Sequence, residues 1–232
     1  MKSLGKQYKA LVIGSSGAIG SAFFTAFKND PNCSLVAGLS RTTQPSFSLE
    51  SEISISDSAH LLALNAPFQL IVDATGALII DGQGPEKQLA KLDPIQLSRA
   101  FQINTIGPAL LIKHFVPLLD TDNRAIYAKL SARVGSISDN KKGGWYGYRS
   151  SKAALNMILQ SAAIECSRSH PNLIFAALQP GTVASKLSAK FVSPEHCLPA
   201  DEAVEGLMNA LDSLVAKCGA YFIDYQGQAI EW

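Results

Sequence analysis

No CxxC pair occurs in this 232-residue chain, whose four cysteines, Cys33, Cys166, Cys197 and Cys218, stand far apart. The spacing offers no redox couple and predicts reduced, structural thiols in a cytoplasmic protein. His60, His114, His170 and His196 are scattered without ligand spacing, so no metal site is expected. Charge of one sign is lacking too: the formal balance is +1, which favours neither a nucleic-acid backbone nor an anionic membrane as partner. Long hydrophobic runs are absent. The most apolar tract, LIVDATGALII, is short and interrupted by Asp73, and the lysines at 2, 6 and 9 precede only ALVI, too little for the apolar region of a signal peptide.

What is present is a composition of 47% hydrophobic and 17% charged residues, typical of a buried-sheet globular domain. The length suits one α/β domain spanning 1–232, with 1–7 as a short tail. Short β-branched runs at 9–13, 34–39, 53–55, 69–73, 125–130, 173–178 and 220–224 alternate with longer amphipathic stretches, notably 94–119, 148–168 and 200–216. The pattern predicts a doubly wound, seven-stranded parallel sheet with helices on both faces, a Rossmann-type architecture. Residues 40–58 hold seven serines, but Ile53 and Ile55 alternate with Ser54 and Ser56, so a surface loop entering a short edge strand is expected there rather than a linker. No internal repeat and no domain boundary is visible.

VIGSSGAIG sets Gly14, Gly17 and Gly20 at a strand-to-helix junction. Gly14 permits the tight turn, Gly17 lets a phosphate approach the backbone, and Gly20 lets helix and strand pack closely. A pyrophosphate would sit at the helix N-terminus, where free N–H groups and the helix dipole favour anions. This makes Gly14, Ser15, Ser16, Gly17, Ala18 and Ile19 candidate cofactor contacts. After the second run, GLSR supplies Ser40 and Arg41, and no Asp or Glu stands between Leu35 and Leu49. An acidic residue there would hold a ribose 2′-hydroxyl, whereas an arginine accommodates a 2′-phosphate; Arg41 therefore favours NADP over NAD against the plainer reading of a solvated loop arginine.

YGYRSSKAALN puts Tyr148 and Lys152 four apart on one helix face. An ammonium beside a phenol would lower the phenol's pKa toward the operating pH, as a general acid for carbonyl reduction requires. In NTIGP, Pro108 lacks the N–H that would bond the Asn104 carbonyl, so that carbonyl is left free; an ordinary packing kink with Asn104 on the surface is the alternative.

Taken together, the glycine turn, DATG (73–76), Asn104, the Tyr148/Lys152 pair and QPGTVAS (179–185) resemble the short-chain dehydrogenase/reductase family over nearly the whole chain. The tail FIDYQGQAIEW and the segment GSISDN look more particularly like its C-factor and sniffer-like carbonyl reductases. The resemblance implies an NADP-dependent oxidoreductase that reduces a ketone or aldehyde, with Tyr148 as proton donor and Lys152 on the nicotinamide ribose. It implies a catalytic role for Asn104, whose carbonyl would hold a water linking the lysine to solvent. Ala74, Thr75 and Gly76 replace the family's Asn-Ala-Gly but are also small, and Pro180, Gly181 and Val183 would line the nicotinamide side.

The family's usual serine donor stands three residues before a glycine; anchored on Gly135, that position is Ala132. Ser131 and Ser136 flank it as substitutes, and Ser131 would need a local bulge to face the same way. The missing serine supports a rival, an NADP-binding regulatory or interaction protein with little turnover. The segment after Ser185, with Leu187, Phe191 and Val192, stands where the family closes over its substrate and suggests a modest apolar carbonyl or alcohol. Apolar residues on more than one face of 94–119 and 148–168 permit a homodimer or homotetramer.

Overall fold

The computed structural model describes residues 1–43, 47–184 and 193–232. Its strands β1 (Tyr8–Ile13), β2 (Cys33–Leu39), β3 (Leu70–Asp73), β4 (Ala125–Leu130), β5 (Leu173–Gln179) and β6 (Tyr221–Asp224) form one six-stranded sheet in the order β2-β1-β3-β4-β5-β6. Every neighbouring pair runs parallel. Strands covered on both faces read as nearly continuous apolar runs, and all six residues of β4 are buried, Lys129 being its one charge. Helices α1 (Ala18–Asn29) and α6 (Ala200–Ser213) pack Phe23, Phe27, Val204 and Leu207 on one face. On the other, α2 (Glu52–Leu62), α4 (Gly107–Phe115) and α5 (Tyr146–Cys166) supply Ile55, Leu111, Phe115, Leu155 and Leu159.

The expected seventh strand at 53–55 is not a strand. Those residues lie in the first turn of α2, where the Ser51 hydroxyl accepts from the Ser54 N–H and caps the helix. Ile55, Ser58 and Ala59 recur at helical spacing on its buried side, while Ile53 is exposed. A two-residue alternation was too short to separate the periods; the cap decides it.

The stretch 94–119 is likewise broken rather than continuous. α3 (Pro94–Phe101) starts on an Asp93 cap, passes into a π-helical turn over Gln102–Ile106 and resumes as α4, with Pro108 in its first turn. The Gly107 N–H reaches back five residues to the Gln102 carbonyl. Residues 1–7 are tied down rather than free: the Met1 ammonium pairs with Asp30 at 2.7 Å, and Ser3 donates to Asp212 through both N–H and hydroxyl.

The chain leaves β1 toward β2 on one side and leaves β3 toward β4 on the other, so these two connections diverge and a crevice opens outside the C-terminal ends of β1 and β3. The β1–α1 turn fits under this crevice only with glycine. Gly14 sits at φ +85°, and a Cβ on Gly20 would overlap the Gly14 carbonyl oxygen. Because the obstruction is backbone, Gly20→Ala is expected to cost about 3 kcal/mol, the upper end of overpacking penalties. Thermal unfolding should then show Tm lowered by roughly 6 to 12 °C for a chain of this size; an unchanged Tm would refute the tight packing.

Candidate active site

Three loops meet above the crevice. The β1–α1 turn is bonded to the end of β2, with Gly14 and Ser15 N–H groups both on the Leu39 carbonyl. A Cβ on Gly14 would stand 3.0 Å from the Ala74 carbonyl carbon, so the glycine turn and the loop after β3 touch. One step on, Gly76 is at φ +133°, and its missing side chain leaves room for Asn104 Oδ1 and Lys152 Nζ, which a Cβ would meet at 3.2 and 3.3 Å. Gly14, Ala74, Thr75, Gly76, Asn104 and Lys152 thus form one contiguous surface.

Asn104 is fully buried, not on the surface. Its Oδ1 accepts from the Ala77 N–H at 2.8 Å and its Nδ2 donates to the Ala77 carbonyl at 2.9 Å, locking the loop after β3 to the π-helical turn. The side chain is therefore held in the fold, and Pro108, four residues on in the first turn of α4, has no N–H to offer the Asn104 carbonyl.

Tyr148 and Lys152 rise from α5 into the same space. Lys152 is buried, donates to the Leu130 carbonyl at 3.0 Å, and lies 5.8 Å from the Tyr148 ring centroid. Burial, aided by the neighbouring Lys129 cation and opposed by Asp73, lowers the Lys152 pKa to about 7. The half-buried Tyr148 phenol is pushed up to about 12 by burial, contrary to the lowering expected from an adjacent ammonium. The reason is geometric: the lysine points to a carbonyl, and a phenol in low dielectric resists ionisation. Burial thus favours the neutral phenol. Beside it opens a pocket lined by Ala77, Leu78, Ala100, Asn104, Gly147 and Tyr148, with Glu86 accepting from the Gly147 N–H at 3.0 Å.

The short chain dehydrogenase model matches residues 8–196. The chain belongs to the short-chain dehydrogenase family. It is accordingly an oxidoreductase by family. C-signal of Myxococcus xanthus is 32% identical to it over 144 residues, 62% of this chain and 83% of that protein. The 1-hydroxy-2-glutathionyl-2-methyl-3-butene dehydrogenase of Rhodococcus sp. (strain AD45) is 28% identical over 192 residues, 82% of this chain and 80% of that one. The NADPH-bound carbonyl reductase from chicken fatty liver superposes with a TM-score of 0.82 at 20% identity, covering 98% of this chain and 100% of that one; at such identity the likeness shows the fold.

The remaining expected contacts of this short-chain dehydrogenase fall as follows. Ser16, Gly17 and Ala18 are exposed at the N-terminus of α1, where no side chain caps the helix, and Ile19 is half-buried. Ser40 is buried in a turn with Thr42 and Thr43, and Arg41 is exposed on the loop leaving β2. Pro180, Gly181 and Val183 follow β5, with Gly181 at φ +80° and Val183 buried beside Leu198. Ser185 and the expected lid residues Leu187, Phe191 and Val192 lie outside the described residues. Among the described residues no helix is long and apolar enough to cross a membrane, and no group of metal-ligating side chains occurs.

Of the two serines beside Ala132, Ser131 has its proton committed, whereas Ser136 accepts a bond and keeps its own proton. The Ser131 hydroxyl donates to Asn156 Oδ1 at 2.6 Å inside the protein, and Ser136 Oγ accepts from the Asp139 N–H. Sequence reasoning missed the pairing of four charged groups near the site. Asp73 and Lys129 form a fully buried pair at 2.9 Å, and Arg133 bonds Asp224 at 3.0 Å across the ends of β4 and β6. The signal was legible: a charge inside an otherwise apolar strand, at matching register in β3 and β4.

Proposed function

We propose that the protein is an NADP-dependent reductase of ketones or aldehydes in which Tyr148 delivers the proton to the substrate oxygen. The observation that carries the reading is the neutral Tyr148 phenol lining a pocket with Ala77 and Asn104, with Lys152 one helical turn behind it. The cradle suits a dinucleotide: Gly14 has no room for a side chain, and the N-terminus of α1 is exposed and uncapped. The reduced form, NADPH, bound there would supply the hydride. Gly14, Ser15, Ser16, Gly17, Ala18 and Ile19 would hold the pyrophosphate, Ser40 and Arg41 the 2′-phosphate, Ala74, Thr75 and Gly76 the adenosine side, and Pro180, Gly181 and Val183 the nicotinamide side. Lys152 would bind the ribose and Asn104 would tie that lysine to solvent. The NADPH carried by the chicken carbonyl reductase supports the cofactor. Chemically, a donor held neutral at working pH can protonate a developing alkoxide without first acquiring a proton. A screen of NADPH oxidation against a panel of aldehydes and ketones tests the reading, and no turnover with any of them would overturn it.

A second reading is favoured by Ala132, which leaves the substrate oxygen one hydroxyl donor short. It is an NADP-binding regulatory or interaction protein. Dinucleotide binding without turnover would distinguish it.

Arg41 is the residue on which cofactor choice rests. Arg41→Ala is expected to weaken NADPH binding by about tenfold or more while leaving NADH nearly unchanged, because a charge-assisted contact to the 2′-phosphate is the only one lost. Fluorescence titration with each cofactor decides it; equal losses would remove Arg41 from that role.

A further inference from the structure

Beneath the site lies a buried charge cluster that the reaction as described does not use. Asp73 closes β3 and Lys129 lies opposite it in β4, both with no solvent exposure. Asp73 Oδ1 takes three donors: Lys129 Nζ at 2.9 Å, the Thr75 hydroxyl at 2.6 Å and the Thr75 N–H at 2.9 Å. Lys129 Nζ in turn donates to the Thr75 carbonyl at 2.7 Å and to its hydroxyl at 3.0 Å. Every polar group of Thr75 is thereby clamped from below. The next residue is Gly76, the one whose vacant Cβ position faces Lys152 Nζ and Asn104 Oδ1. Two lysines therefore approach the same short loop segment, Lys129 from the sheet and Lys152 from α5.

We propose that Lys129, anchored by Asp73 under Thr75 and Gly76, is a positioning residue that sets both the placement and the charge of Lys152. Burying an ion pair is costly, and a strand that needed only packing would be served by an apolar residue in its place. Asp73 Oδ2 has no hydrogen-bond partner among the described residues, so the pair is incompletely satisfied, which fits a role other than stability. The charged and titratable groups around Lys152 can be named. Asp73 comes from β3, Lys129 and the buried Tyr127 from β4, Tyr148 from α5 itself, and Glu86 from the loop after β3 reaches the first turn of α5. Of these, Lys129 is the larger electrostatic influence disfavouring protonated Lys152, and Asp73 opposes it.

The role of Lys152 in turnover rests on the reading above, but its charge does not, so the test begins on the cofactor-free protein. Lysine labelled with 13C at Cε is followed by NMR against pH, with a Lys152→Arg variant used only to assign its signal. Lys129→Met removes the repelling cation, so the Lys152 titration should move up by on the order of one pH unit. Asp73→Asn should move it down. The double variant, which leaves no unpaired buried charge and so guards against misfolding of either single one, should fall between Lys129→Met and wild type; Lys129→Arg should stay near wild type. A Lys152 titration that stays put in both the folded Lys129→Met and the folded double variant overturns the proposal. In turnover, the alkaline limb should move with the Lys152 titration across the set. Should the NMR shifts appear while no variant, wild type included, reduces a carbonyl, the positioning role stands and the reductase reading fails.

Discussion

Tyr148→Phe should lower turnover by about 100 to 10,000-fold, the range that a positioned general acid contributes, while NADPH affinity stays within about twofold. Phenylalanine keeps the ring that packs against Trp145 at 6.2 Å between centroids and that Lys152 faces at 5.8 Å, so only the proton is removed. Because burial holds the phenol at about 12, wild-type activity should show no acid-limb or neutral-limb loss from tyrosine ionisation; any fall near neutrality belongs to Lys152, whose pKa is lowered to about 7. The sign follows from which form works. If the ammonium is needed, activity is retained below pH 7 and falls as pH rises through it. Stability runs the other way: a lysine depressed on folding is bound to more protons in the unfolded chain between about 7 and its ordinary value, so this residue makes the fold more stable as pH rises across that window. Single-turnover kinetics at several pH values, paired with denaturant melts, separate the two effects. Full activity in Tyr148→Phe would end the mechanism.

The sheet was readable because parallel strands buried on both faces must be near-continuously apolar, and the six runs so composed became β1 to β6. The run at 53–55 failed because three residues cannot distinguish a two-residue from a 3.6-residue period, whereas the Ser51 cap that decides it was hidden among six other serines. Pro108 told of the interrupted helix, but not that the interruption would be a π-helical turn rather than a kink, nor that Gly107 beside it would pack against Leu49, fifty-odd residues away in sequence. At the site, residue identity and spacing were enough to name Tyr148, Lys152, Asn104 and the glycines, since a helix face and a tight turn are local. The direction of the tyrosine's pKa was not local. It depends on where Lys152 points, and that is fixed by the Leu130 carbonyl on another element. Asp73 and Lys129 carried their own signal, charges in core strands, but their partnership is a matter of register between strands more than fifty residues apart.

Ala132→Ser should raise carbonyl reduction by on the order of 100 to 1,000-fold, the inverse of what removing one oxyanion donor usually costs. The backbone permits it: Ala132 is half-buried in extended conformation, at φ −163° and ψ 144°, which serine adopts without strain. Of the two neighbouring hydroxyls, Ser131 gives its proton to Asn156, whereas Ser136 accepts from the Asp139 N–H and keeps a proton to give, so only Ser131 is excluded as the missing donor. Their alanine variants separate the possibilities. Ser131→Ala leaves Asn156 Oδ1 without that donor and should cost about 1 to 3 kcal/mol of stability with turnover per folded molecule unchanged. Ser136→Ala should loosen the turn with little effect on either. A collapse of turnover in Ser131→Ala or Ser136→Ala at unchanged stability, with Ala132→Ser silent, would mean that the donor is that serine and that the register anchored on Gly135 is wrong. A large gain in Ala132→Ser would mean instead that the chain keeps its proton donor and lysine but turns over below its capacity for want of the third group.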